Sequence, residues 1–108
     1  MQPDLRQSIE AELANAERAR LNANEGRARV CARRAAGLAA RDFLRRQGIP
    51  ARNSSAYETL KMLVIYPGLA PELRSAAEHL TTRVNEEFTL PVDIDLIAEA
   101  RNLIGGLG

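Results

Sequence analysis

The stretch that decides the fold is residues 27–47, RARVCARRAAGLAARDFLRRQ. It has many alanines and few β-branched residues, which favours a helix over a strand. At 100° per residue, four of its arginines fall on the side opposite a group of small residues. The small side chains let a neighbouring helix approach closely, and this packing side consists of Ala32, Ala36, Ala39, Ala40 and Phe43. The stretch predicts a long helix with one packed and one charged face.

Further helices are predicted on both sides of this stretch. The first runs from about Asp4 to Leu21, with apolar residues on one face at Leu5, Ile9, Leu13 and Ala16. The polar residues 22–26 predict a hairpin, and a helix that continues through them is the alternative. Gly48 is of the residue type that follows a helix end, at the C′ position, and Pro50 prevents the helix from continuing. The second helix is therefore predicted to end near Gln47.

The third helix is predicted by the capping box Ser55-x-x-Glu58 and ends at the turn Pro67-Gly68. The fourth begins near Pro71 and has the most regular apolar spacing in the chain, through Leu69, Leu73, Ala76, Ala77, Leu80, Val84 and Phe88. This spacing predicts that the fourth helix continues to Phe88.

After Pro91, Asp93 is the predicted N-cap of a fifth helix. Its inward face is predicted at Leu96, Ile97, Ala100, Leu103 and Ile104. The last four residues, Gly105–Gly108, are expected to fray. Short connections between amphipathic helices indicate an all-α, antiparallel four-to-five-helix bundle of the up-and-down type.

The composition fits one domain covering residues 1–108, because a chain of 108 residues buries enough surface for one core. Aromatic residues make up 4% and Trp is absent, so the core must be aliphatic. Cys31 is the single cysteine, which excludes an intrachain disulfide and a cysteine-based zinc cluster. Neither a membrane span nor a signal peptide is recognisable, so we expect a cytoplasmic protein. We also expect that it needs no cofactor or metal.

The net charge of +1 hides a strong asymmetry. Residues 26–52 have eight arginines against one acidic residue, Asp42, whereas the segments before and after them are acidic. Four of these arginines fall within about 40° of one line on the helix, with Leu38 beside them. They are Arg27, Arg34, Arg41 and Arg45. We call them the arginine stripe.

The arginine stripe has two interpretations. Arginine is well shaped for bidentate phosphate contacts, so the stripe predicts binding to a nucleic-acid backbone. Alternatively, the arginines pair with acidic surfaces of other helices or remain solvated. No aromatic residue lies within the stripe, which argues against a base-stacking platform for single strands.

His79 is the only histidine, and we expect it on the outer side of the fourth helix. Arg74 precedes it by five residues, which gives the pattern Arg74-x-x-x-x-His79. Residues five apart on a straight helix point about 140° away from each other, so this pair converges only if the helix begins late, bends, or meets a second subunit. Arg83, one turn after His79, is added to the predicted nucleic-acid-binding residues.

Three elements in order carry a resemblance to a known family: Ala39-Ala40-Arg41-Asp42-Phe43-Leu44-x-x-x-Gly48, the pair Leu60 and Leu63, and Arg74-x-x-x-x-His79. They resemble the HEPN domain, and the resemblance covers about residues 5–88. This small helical family occurs in prokaryotic toxin–antitoxin, CRISPR-associated and nucleotidyltransferase-linked proteins.

The resemblance implies a homodimer that cleaves RNA without a metal. His79 would be the general acid or base and Arg74 would stabilise the phosphorane, while arginines of the second helix hold the RNA. A chain with one histidine supplies two imidazoles only as a symmetric dimer. The resemblance also implies a partner protein, either an antitoxin or a nucleotidyltransferase.

Three function classes remain open at this point. The first is the dimeric endoribonuclease of toxin type. The second is a non-catalytic HEPN-like module that binds RNA, a nucleotide or a partner protein, which is favoured because Ser75 and Thr81 depart from the family's motif. The third is a structural or interaction bundle unrelated to nucleic acid.

Overall fold

The computed structural model describes residues 1–82 and 94–108, and within them it contains five helices and no strand. The helices are α1 (Pro3–Leu21), α2 (Glu25–Arg46), α3 (Ala56–Val64), α4 (Pro71–Leu80) and α5 (Leu96–Leu107). The predicted all-α helical bundle is confirmed.

Helix α2 lies at the centre of the packing. It contacts α1, α3 and α5, and α4 packs between α3 and α5. Helices α2 to α5 therefore form a ring, and α1 lies along the outer side of α2. Because α2 has three neighbours, all four alanines of its predicted packing side are fully buried, whereas Phe43 is only partly buried.

The core is aliphatic, as the composition predicts. It joins the alanines of α2 to large side chains from all five helices, among them Ile9, Leu44, Leu60, Leu63, Leu80, Leu96 and Leu103. Cys31 is buried in the same cluster.

The predicted C-terminal end of α2 and the predicted start of α3 are confirmed. The backbone N–H groups of Gly48 and Ile49 donate to the carbonyls of Arg45 and Leu44, and Gly48 has a φ of 80°. This is the hydrogen-bond pattern in which a glycine ends a helix. At α3, the Ser55 side chain accepts from the Glu58 N–H and the Glu58 carboxylate accepts from the Ser55 N–H, which completes the capping box.

The predicted length of α4 is wrong. The helix ends at Leu80, because the hydroxyl of Thr81 donates to the carbonyls of Ala77 and Glu78, and Arg33 donates to the carbonyl of Leu80. The bonds to the Glu78 and Leu80 carbonyls satisfy groups that would otherwise accept from a further turn. Val84 and Phe88 lie outside the described residues.

The predictions for α5 need two corrections. Its N-cap is Asp95 rather than Asp93, because the Asp95 carboxylate accepts from the N–H groups of Ile97 and Ala98. The tail expected to fray is helical as far as Leu107, whose side chain is buried. Arg46 donates to the Leu107 carbonyl at 2.7 Å, which ties this end to α2.

Candidate nucleic-acid interface

The four residues of the arginine stripe line a row of three grooves along α1 and α2. The helices run antiparallel, so the C-terminal half of α2 lies beside the N-terminal half of α1. We call the grooves, in order from the hairpin, the hairpin groove, the central groove and the distal groove. Arg27 lines the first, Arg34 and Arg41 the second, and Arg41 and Arg45 the third.

The central groove is the largest of the three, at about 520 Å³. Its volume is within the range of small-molecule sites, about 300–1,000 Å³. The walls are formed by Ser8, Ala11 and Glu12 of α1, Arg34, Leu38 and Arg41 of α2, and Ala56 at the start of α3. Apolar surface and opposite charges are therefore combined in one concave site.

The distal groove adjoins the central groove, since both are lined by Leu38 and Arg41. Its volume is about 360 Å³, and its other lining residues are Gln2, Leu5, Asp42 and Arg45. The hairpin groove, of about 270 Å³, is lined by Asn15, Arg18, Ala19, Asn22, Asn24 and Arg27. Across the three grooves, five arginines face two carboxylates, so the row is positively charged.

Arg34 is the arginine of the central groove that is best placed to bind a ligand. It is exposed, and within residues 1–82 and 94–108 its side chain has neither a hydrogen-bond nor an ion-pair partner. Arg27 is also exposed and has no side-chain partner among those residues. A charged side chain without an internal partner keeps all of its donors available for a phosphate.

Arg41 is held in place by the loop before α3. Its Nη2 donates to the carbonyl oxygen of Ser54. Its Nε is buried and has no hydrogen-bond partner within the described part of the chain. Arg41 is therefore a fixed cation in the wall that the central and distal grooves share.

Arg45 is partly neutralised by Asp42. Its Nη2 lies 2.9 Å from Asp42 Oδ1, and Arg46 Nε lies 3.0 Å from Asp42 Oδ2. Burial acts to raise the pKa of Asp42, but the hydrogen bonds and charges of these two arginines outweigh it and lower that pKa below its usual value. Asp42 is therefore a fixed anion at only 7% exposure, and it anchors Arg45 at the edge of the distal groove.

Arg74 and His79 are not brought together within one chain. Arg74 is directed back to the end of α3, where Nε donates to the Val64 carbonyl at 3.0 Å and Nη2 to the Tyr66 carbonyl at 2.8 Å. His79 Nδ1 instead lies 3.1 Å from Glu99 Oε1 on α5. The two side chains therefore bond to different elements.

His79 is on the outer side of α4, as predicted, and 34% of its side chain is exposed. Its bond to Glu99 connects α4 to α5. Arg83, the remaining predicted binding residue, lies outside the described residues.

Sequence reasoning missed Glu12 and Ser8, the polar residues that α1 contributes to the central groove. A usable signal was present. In an antiparallel hairpin centred near Ala23, residues 12 and 8 lie opposite residues 34 and 38 of α2. The α1 residues that face the arginine stripe could therefore be predicted from the position of the hairpin.

Sequence reasoning also missed the arginines that cap helix ends. Arg33 donates to the Leu80 carbonyl at 2.8 Å, at the end of α4. Arg46 and Arg74 do the same at the ends of α5 and α3. A guanidinium at a helix C-terminus satisfies free carbonyls and is favoured by the helix dipole.

The described part of the chain contains no group of three or more His, Cys, Asp or Glu side chains arranged to hold a metal ion. It also contains no helix with the length and apolar character needed to cross a bilayer.

Comparison with known proteins gives no relative for this chain. No family model, curated protein or solved structure matches it. The resemblance to the HEPN domain therefore stays a prediction.

Proposed function

We propose that this protein is a non-enzymatic helical domain that binds RNA through the row of grooves between α1 and α2. The observation that carries the proposal is the position of Arg34, which lines the central groove and has no partner within the described residues. The stripe continues on both sides of it, at Arg27 and at Arg41 and Arg45. The choice of RNA over DNA rests on the resemblance to the HEPN domain.

The spacing of the stripe supports contact with a phosphate backbone. Residues 27 and 45 are 18 positions apart on one helix, which is about 27 Å at 1.5 Å per residue. At about 3.4 Å per nucleotide of a strand, that length corresponds to roughly eight nucleotides. A backbone lying along the row can therefore meet several guanidinium groups at once.

Binding is favoured over cleavage because the proposed catalytic residues have other partners. Arg74 holds the end of α3, and His79 is bonded to Glu99. A ribonuclease site would need a second subunit to complete it. The nuclease, the homodimer, and an antitoxin or nucleotidyltransferase partner remain predictions from the resemblance.

The test is binding of a fluorescent twelve-nucleotide RNA, measured by anisotropy from 50 to 200 mM salt. Four phosphate contacts to a single strand give a slope of log K against log salt of about −3. Arg34→Gln is expected to weaken binding and to make that slope shallower by about 1. The matched control is Arg101→Gln, which removes an exposed arginine of α5 that is 3.5 Å from Glu17 and lines none of the three grooves.

Absence of salt-dependent binding would overturn the proposal and leave a structural or interaction bundle. Equal losses of RNA affinity in Arg34→Gln and Arg101→Gln would show that binding depends only on the overall charge of the protein. The same RNA is incubated with excess chelator and examined for cleavage. Cleavage that disappears in His79→Ala would establish the nuclease instead.

A further inference from the structure

The central groove contains an acidic residue that a site for phosphates alone would not need. Glu12 lines this groove opposite Arg34 and Arg41. Its Oε2 is buried, and this oxygen accepts no hydrogen bond within residues 1–82 and 94–108. Glu12 also has no ion pair within that part of the chain, although two arginines line the same groove.

An unpaired buried carboxylate oxygen is unfavourable, because water has been removed from it and no donor replaces water. Arg41 Nε, a donor, is buried without a partner in the wall of the same groove. The walls of the groove therefore contain one unsatisfied acceptor and one unsatisfied donor, and a side chain must turn before either atom can meet a ligand. A carboxylate also repels a phosphate, so the part of a ligand that meets Glu12 must donate hydrogen bonds.

We infer that the central groove binds a guanine base of the RNA, an inference that rests on the proposed function. A carboxylate has two acceptor oxygens, and guanine is the base that offers two adjacent donors on one edge, N1–H and N2–H₂. The adjoining edge offers the acceptors O6 and N7, which an arginine can bind. Glu12 accepts from the first edge, and an arginine of the groove donates to the second.

The remaining walls fit a base rather than a second phosphate. Ala11, Leu38 and Ala56 form an apolar part of the lining, which can contact the face of a flat ring. The terminal torsion of a glutamate is soft, so either carboxylate oxygen can turn toward the groove. The phosphates on either side of the base then lie along the stripe.

The experiment compares three twelve-nucleotide RNAs of equal charge: all uridine, uridine with one central guanosine, and uridine with one central inosine. Inosine lacks only the 2-amino group. We expect wild-type protein to bind the guanosine RNA at least about fivefold more tightly than the uridine RNA, as one well-placed base contact allows. The inosine RNA should lose most of that preference.

Glu12→Gln is expected to reduce the preference for guanosine to less than about twofold. Its affinity for the uridine RNA should rise, because a negative charge has left the groove. The matched control is Glu10→Gln, which removes an exposed carboxylate of α1 that lines none of the three grooves. Circular dichroism verifies that both variants fold.

The two proposals fail in different ways. Salt-dependent binding of the uridine RNA with no preference for guanosine would overturn the guanine site and leave the RNA-binding function intact. A preference that persists in Glu12→Gln would also overturn it. Failure to bind any of the three RNAs would overturn both proposals.

Discussion

At the scale of single residues, the arginines of this protein have two separate uses. Arg33, Arg46 and Arg74 donate to carbonyl groups at helix ends, whereas Arg34 has no partner within the described residues. The carbonyls reached by Arg33 and Arg46 are 47 and 61 residues away in sequence. Charge patterning alone could not separate the two groups, because it does not reveal contacts at that distance.

Arg74 allows a prediction that distinguishes a structural role from a catalytic one. Arg74→Ala removes the side-chain donor from the carbonyls of Val64 and Tyr66, so the free energy of unfolding should fall by about 1–3 kcal/mol. Arg74→Lys should recover only part of this loss, since an ammonium does not reproduce the two-pronged guanidinium. Urea denaturation measures both.

The control for Arg74 is Arg101→Ala, which removes an exposed ion pair and should change stability by no more than about 1 kcal/mol. If Arg74→Ala is as stable as the wild type, the capping role is wrong. A residue retained only for catalysis would give that result.

At the scale of helices, the composition of α2 follows from its position. It packs against α1, α3 and α5, so most of the side chains around this helix must be small. Gly37 marks a close approach to α3, because a Cβ atom placed there would lie 2.7 Å from Ala56 Cβ and 2.9 Å from Ala56 Cα. That contact brings the start of α3 against α2, and Ala56 also lines the central groove.

Gly37→Ala is therefore predicted to destabilise the protein, even though alanine favours a helix. Overpacking against Ala56 should outweigh the gain in helix propensity and lower the free energy of unfolding by about 1–2 kcal/mol. Gly105→Ala is the matched substitution in α5, where nothing lies within 4 Å of the added Cβ. It should be neutral or stabilising, and thermal denaturation of the two variants compares them.

Equal changes in stability in Gly37→Ala and Gly105→Ala would show that α2 and α3 do not approach as closely as the structure indicates. Weaker RNA binding by Gly37→Ala, with unchanged salt dependence, would indicate a change in the shape of the central groove.

At the scale of the whole molecule, ion pairs join helices that are distant in sequence. Asp42 holds Arg46, which binds the end of α5, and Asp95 caps the start of α5 while it pairs with Arg20 of α1 at 2.9 Å. Burial acts to raise the pKa of Asp95, but the bond from Arg20 and the backbone N–H groups of α5 lower it overall. Both ends of α5 therefore depend on an ionised carboxylate.

This arrangement predicts a loss of stability in acid. A carboxylate whose pKa is lower in the folded state stabilises the fold above its unfolded pKa, about 3.9 for aspartate, and that stabilisation disappears as pH falls through the folded pKa. Asp42→Asn should be less stable than the wild type at pH 7, and the two should converge as pH falls through the lowered pKa of Asp42. Urea denaturation across this range measures the difference.

Glu10→Gln is the control for the acid series, because Glu10 is exposed on α1. Its stability should parallel that of the wild type at every pH. A constant gap between Asp42→Asn and the wild type from pH 7 to pH 2 would contradict the proposed contribution of Asp42.

The amino-acid sequence by itself determined the all-α class, the capped start of α3, the glycine that ends α2 and the two faces of α2, because these depend on residues close together in the chain. The tertiary structure alone decided where α4 ends, which aspartate begins α5, and which arginines remain available for a ligand. Each of these depends on a contact between distant segments, such as Arg33 with Leu80 or Arg20 with Asp95. The central groove belongs to the second group, since its acidic and basic walls come from different helices that only packing brings together.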